Sequence, residues 1–335
     1  MLIEFRKKKL WCIGGGKGGI GKSIFTLGLG ISLTRLGKKV ILVDCDLGGA
    51  NLHTLMGVRY PTISLEHFLL RKVNRLEDTV IPTPVEGIGL ICGADDFLGA
   101  ANPTYAQKMR LLCQIEDLPA EFVLLDLGAG TSFNLLDIFN FSPGKIVLFT
   151  SQATSIQNAY GFIKSALHRK LSREFAKDRE VLQYLFPDGQ DPAANFPPLR
   201  DLLTRLKGAD PEQHARLSQV LWDFRVFLVV NMVKNRTDLK APEVIQSVCA
   251  DFLKVHTEIM GHLEYDPAVE AAVNQMLPFP LAKKRSRVAA TLQDIAHKVQ
   301  KASRLLRFPW EPEVEKAAAA LMAERARRQS YAVYS

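Results

Sequence analysis

Leu10 to Ser23 reads L-W-C-I-G-G-G-K-G-G-I-G-K-S: an apolar run, a glycine- and lysine-rich turn, then a hydroxyl. Gly16, Gly21, Lys22 and Ser23 satisfy the spacing of a phosphate-binding loop, in which glycine is followed after four residues by Gly-Lys-Ser/Thr. Successive backbone N–H groups in such a turn form a concavity that holds an anion. Gly18, Gly19 and Gly21 allow the chain to fold that tightly. Ser23 to Leu36 has helical composition, and its N-terminus adds a favourable dipole end. Lys22 supplies a point charge to the phosphates, and the Ser23 hydroxyl suits a Mg²⁺ that also touches the nucleotide. The nucleotide-binding set is therefore Gly16, Lys17, Gly18, Gly19, Ile20, Gly21, Lys22, Ser23 and Ile24. Lys17 is surplus to this account, because one lysine suffices for the β- and γ-phosphates.

Around the loop, short apolar runs alternate with helical stretches. Strands are expected at 10–14, 40–44, 88–92, 122–126, 145–150, 226–231 and 259–263. Several are continuous Val/Ile/Leu runs, the pattern of parallel strands buried on both faces. The alternation predicts an α/β fold, a doubly wound and mostly parallel sheet with helices on both faces and its ligand at the carboxyl ends of the strands. About 75 residues separate the strands at 145–150 and 226–231, several times the usual crossover of a dozen or more. The stretch reads as a helical insertion at about 165–225, with helical segments near 157–185, 199–207 and 211–224 around a Pro-rich loop. It serves either as a crossover elaboration or as a partner-docking subdomain.

Two strands end in carboxylates. Val40–Asp46 reads V-I-L-V-D-C-D, and Val123–Gly130 reads V-L-L-D-L-G-A-G. Phosphoryl transfer rests on positioning and electrostatics. Asp44 and Asp126 suit the water shell of a Mg²⁺, and Asp46 suits the attacking water. Gly128 and Gly130 give a mobile turn that can approach the γ-phosphate and lose that contact on hydrolysis. Asn231, at the end of F-L-V-V-N, either meets an adenine edge or caps the following helix.

The 335-residue chain is 47% hydrophobic, ample for a core, and has a formal net charge of +8. That charge favours an acidic partner, nucleic acid or anionic lipid. No segment has the roughly 18 uninterrupted apolar residues of a membrane span, and the charged Met1–Lys9 stretch lacks a signal-peptide core. A cytoplasmic location is expected. Cys12, Cys45, Cys92, Cys113 and Cys249 are scattered without C-x-x-C spacing. They read as reduced and mostly buried, and the spacing of Cys92 and Cys113 does not suit a shared iron–sulfur cluster.

The chain resembles the deviant Walker A ATPases of the MinD/ParA group, and most the MinD and FlhG/FleN branch. The resemblance rests on K-G-G-I-G-K-S at 17–23, D-C-D-L-G-G-A-N-L at 44–52, D-L-G-A-G at 126–130, A-T-S-I-Q-N-A-Y at 153–160, V-V-N-M-V at 229–233 and Y-D-P-A-V at 265–269. It implies a P-loop NTPase domain of the SIMIBI type over 1–307, with ATP and Mg²⁺ as cofactors and a tail at 308–335. It further implies a molecular switch that hydrolyses ATP and forms a homodimer with ATP bound, positioning a cellular structure such as a division site or flagellum. Lys17 matches the lysine that reaches the partner subunit's nucleotide. Asp46 matches the residue that activates water, and Asp126 the switch II aspartate. Asn231 matches an adenine-contacting asparagine, with Asp266 and Pro267 in the loop flanking the base. The sequence departs from the group at Ser151 and Gln152, where Pro-Glu is common, at Asn158, which replaces an aspartate, and at His53, where aspartate is usual. These are surfaces that relatives use for partners or the dimer, so a different protein partner is implied.

Lys283 to Arg307 holds eight Lys/Arg and one Asp. Val288, Leu292, Ile295, Val299, Ala302 and Leu306 form one apolar helix face, whose default role is packing on the domain. The basic opposite face, with Leu305, Leu306, Phe308 and Trp310 near its end, leaves two other roles. One is a peripheral membrane contact at the inner face of the cell membrane, as MinD relatives make. The other is contact with DNA phosphates, as in a ParA-like partition ATPase.

Overall fold

The computed structural model describes residues 9–46, 48–93, 103–185, 199–282 and 286–306. One sheet of eight strands organises them: β1 (Lys9–Gly14), β2 (Val40–Asp44), β3 (Ile81–Pro82), β4 (Ile88–Ile91), β5 (Phe122–Asp126), β6 (Gly144–Thr150), β7 (Val226–Val233) and β8 (Thr257–Glu264). Their order is β3-β4-β2-β5-β1-β6-β7-β8. Every pairing is parallel except β3 with β4. All seven expected strands are present. β3 is an addition: two residues, one of them a proline, carry no periodicity to read.

The helices in chain order are α1 (Lys22–Arg35), α2 (Leu52–Leu55), α3 (Leu65–Leu69), α4 (Tyr105–Ile115), α5 (Phe133–Phe141), α6 (Ala153–Glu174), α7 (Arg179–Leu185), α8 (Leu199–Ala209), α9 (Pro211–Asp223), α10 (Ala241–Val248), α11 (Pro267–Asn274), α12 (Phe279–Ala282) and α13 (Arg287–Ala302). Side chains alternate across each strand, so Leu10, Cys12, Ile41 and Val43 face one core, and Trp11, Ile13, Val40 and Leu42 face the other. The first core is closed by α3 to α10, the second by α1, α2 and α11 to α13.

Over the stretch read as an insertion, the described residues form the second half of α6 and then α7, α8 and α9, whose apolar residues, among them Leu185, Leu202 and Leu217, join the first core. Arg216 holds α9 to the end of α6, donating to the Glu174 carboxylate and stacking 5.0 Å from the Phe175 ring. The Pro-rich loop of this stretch lies outside the described residues. The apolar face of α13 is spent on the core: Val288, Leu292, Ile295 and Val299 are buried. The helix approaches α1 so closely that a Cβ on Gly28 would lie 2.6 Å from Leu292 Cδ1. Of the bulky residues at its end, Leu305 is exposed, while Phe308, Trp310 and the whole 308–335 tail lie outside the described residues. No described helix is long and apolar enough to cross a membrane. All five cysteines are buried and none is in a disulfide.

Both rims of the sheet are blunted. β3 is short and carries Pro82, and on β8 the carbonyls of Thr257 and Met260 accept from Gln246 Nε2 and Lys298 Nζ.

Candidate functional site

The glycine loop joins β1 to α1 at the carboxyl edge of the sheet, with Gly21 as the N-cap of α1 at φ 88°. That left-handed geometry suits glycine and strains other residues. A Cβ on Gly16 would come within 2.3 Å of the Asn158 carbonyl oxygen, so α6 packs directly on the front of the loop. The two lysines have opposite environments. Lys22 is buried, and its Nζ donates to the Lys17 carbonyl at 3.3 Å, which keeps the ammonium inside the loop. Burial lowers its pKa, opposed by the charges of Asp126 and Asp46. Lys17 is exposed, with Nζ 3.5 Å from Thr154 Oγ1.

Asp44 and Asp126 end β2 and β5 and sit side by side in register. Both are buried. Asp44 accepts backbone N–H groups from Asp46 at 3.1 Å, Asn51 at 2.9 Å and Leu52 at 3.1 Å. It thereby folds the segment after β2 and caps α2. Asp126 accepts from Thr26 Oγ1 at 3.0 Å and from the Ser23 hydroxyl. Thr26 is a site residue that spacing alone could have marked, since positions 23 and 26 share a helix face. Asp46 is half-buried and reaches the turn after β5, where a Cβ on Gly128 would meet its carboxylate carbon at 2.9 Å. The two acidic segments and the loop thus converge.

Burial pushes Asp126 up to about 7, reinforced by the charge of Asp44 and opposed by Ser23, Thr26 and Lys22. Burial pushes Asp44 up to about 6 against its three backbone hydrogen bonds. Two adjacent buried carboxylates beside a serine hydroxyl form a hard-oxygen set fit for a divalent cation, which would favour their charged forms. Among the described residues no group of three His, Cys, Asp or Glu side chains forms a metal cage. Mg²⁺ suits such a site, because it is held by one or two carboxylates together with substrate phosphates and water.

The raised values fix a sign. In the nucleotide-free fold these carboxylates keep protons that the unfolded chain has already lost, so stability falls as pH rises from about 4 to about 7. Asp126→Asn should flatten that slope and raise stability at pH 8 by on the order of 2–3 kcal/mol, each pKa unit carrying about 1.4 kcal/mol and solvent relaxing part of it. Urea midpoints across pH test this; an unchanged slope would clear Asp126 of responsibility.

Beside the loop, a cavity of about 260 Å³ opens between the first turn of α1, the ends of β7 and β8, and α11, lined by Ile24, Phe25, Asn231, Tyr265, Asp266 and Val269 among others. It has the apolar walls and few polar groups of a ligand pocket. Asp266 Oδ1 accepts from Ala268 N–H at 2.9 Å, making it the N-cap of α11, and Pro267 is the first residue of that helix. Asn231 donates from Nδ2 to the Ile20 carbonyl at 2.8 Å, a contact to the loop that the sequence did not announce.

A family model described as the CobQ/CobB/MinD/ParA nucleotide binding domain matches residues 11–279. An uncharacterised ATP-binding protein of Methanocaldococcus jannaschii is 31% identical over 152 residues, covering 45% of this chain and 56% of that protein. The antiactivator FleN of Pseudomonas aeruginosa is 27% identical over 152 residues, covering 45% of this chain and 53% of FleN. The chain spans about half the length of the curated relatives it matches. The structure of the septum site-determining protein MinD of Pyrococcus horikoshii, complexed with Mg-ADP, superposes with a TM-score of 0.60 at 19% identity, over 89% of this chain and 98% of that one.

Proposed function

Since the chain belongs to the CobQ/CobB/MinD/ParA nucleotide-binding family, on its MinD and FleN side, we propose that it is an ATP-hydrolysing switch that pairs with a second copy when ATP is bound. In this reading residues 1–307 form one ATPase domain. The paired form engages a protein partner or the inner face of the cell membrane to position a cellular structure, and hydrolysis resets it.

The geometry supports the following roles. Backbone N–H groups of 16–23 and the buried Lys22 hold the β- and γ-phosphates. Mg²⁺ held by the Ser23 hydroxyl, with Asp44 and Asp126 acting through its waters, would neutralise charge on the phosphate oxygens. Asp46 orients the attacking water and feels the turn at Gly128 next to it. The base takes the cavity beside Ile24, flanked by Asn231, Asp266 and Pro267.

One observation carries the pairing: the loop holds two lysines, one buried within its own turn and one facing solvent. In this reading the buried one serves this chain's phosphates and the exposed one serves another's. Lys17→Ala should therefore cut ATP-dependent dimerisation by tenfold or more while changing ATP affinity by less than about threefold, an exposed charge contributing roughly 0–1 kcal/mol to a local contact. Light scattering with ATP, beside calorimetric titration, separates the two. Equal losses would make Lys17 an ordinary phosphate contact.

A further inference from the structure

Four observations meet at the end of β7. The β7–β8 register slips between Val230 and Val233, so that Asn231 and Met232 form a bulge. Met232 has φ 58°, the left-handed region that non-glycine residues rarely adopt. The Met232 N–H donates to Asn231 Oδ1 at 2.9 Å, and Asn231 Nδ2 donates to the Ile20 carbonyl at 2.8 Å. A Cβ on Gly21 would lie 2.5 Å from that same Nδ2. Bulges beside functional sites re-aim side chains, and strained backbone persists there only where its surroundings hold it. Here the bulge turns one amide onto the phosphate loop, its oxygen fixed from behind and its nitrogen on the loop's backbone, and glycine at 21 leaves room for it.

We propose that Asn231 is a positioning residue for the phosphate loop: its amide fixes Ile20–Lys22 in an anion-ready shape before any base is recognised. The inference rests on the reading of this loop as a nucleotide site. It goes beyond a contact to adenine, because it makes phosphate binding itself depend on Asn231. Phosphate binding loses preorganisation when the tether goes, and affinity falls for every ligand the loop holds.

The test compares ATP with inorganic tripolyphosphate, which has no base, both titrated calorimetrically in Mg²⁺ into wild type and Asn231→Ala. The expected result is a similar loss for both ligands, about fivefold to tenfold, the scale of one lost hydrogen bond. Asn231→Ser, which keeps a short hydroxyl donor, should lose less for both, and it carries the comparison if the alanine variant does not fold. ATP weakened with tripolyphosphate unchanged would overturn the proposal and leave Asn231 as a base contact. Wild-type protein that binds neither ligand would overturn the nucleotide reading and this inference with it.

Discussion

Asp46→Ala should retain ATP and lose its turnover: hydrolysis down by about 10²–10⁴-fold, the range for removing a group that handles the reacting proton or water, with ATP affinity not weakened. Asp46 is half-buried against the turn after β5, and its charge opposes the lowering of the Lys22 pKa without sitting in the loop. Removing it leaves the phosphate cradle intact and takes away only the carboxylate facing the turn at Gly128. ATP-dependent pairing should persist, because the reset is blocked. Phosphate release and light scattering check the two halves. A variant that binds ATP and stays monomeric would end the pairing model, and unchanged hydrolysis would pass the water to another group.

The second large effect lies away from the nucleotide. Asp137 on α5 is buried and bound by three cations. Lys108 of α4 pairs with its Oδ2. Arg169 of α6 donates to both oxygens, from Nε at 2.8 Å and from Nη2 at 3.0 Å. Arg173 Nη1 lies 3.5 Å from Oδ1. Burial alone would raise its pKa, but the hydrogen bonds and charges of Arg169 and Lys108 hold it below the usual carboxylate range. Asp137→Ala leaves a buried lysine facing two arginines, and should cost about 3–5 kcal/mol, as breaking a buried pair from one side does. The sign with pH is the reverse of that at Asp126. A depressed pKa contributes stability above about pH 4, the unfolded value, and that stability is lost as acid protonates the native carboxylate. Denaturant titrations at pH 7 and pH 3 should show the wild-type advantage largest at the first and smaller by up to about 1 kcal/mol at the second, the most that acid can remove one unit below the unfolded value. A variant as stable as wild type at pH 7 would show that the three cations do not need their anion.

The fold was legible because its strands announce themselves twice. Val40–Asp44 and Phe122–Asp126 are apolar runs that end in carboxylates, so both their extent and the edge they lead to are written in adjacent residues. The loop at 16–23 is local in the same way. What sequence did not yield is what depends on distant partners. Nothing near Asp137 names Lys108 or Arg169, although a lone aspartate inside the apolar F-N-L-L-D-I-F-N-F of α5 marks an acid that must find a cation. Asn231 carries two readings because β7 looks regular in sequence, while its bulge arises from register with β8. The C-terminal basic helix also had two faces to choose from, and Gly28 on α1, far upstream, settled where the apolar one goes.

The blunted rims of the sheet bear on how a second copy could meet this chain. With Pro82 at one margin and Lys298 and Gln246 on the carbonyls of the other, strand addition is discouraged at both sides. Open-ended polymerisation by edge pairing is thereby disfavoured. The pairing proposed above would then run through loops and helices, and a self-complementary contact of that kind would close on itself after two members rather than grow into a fibre.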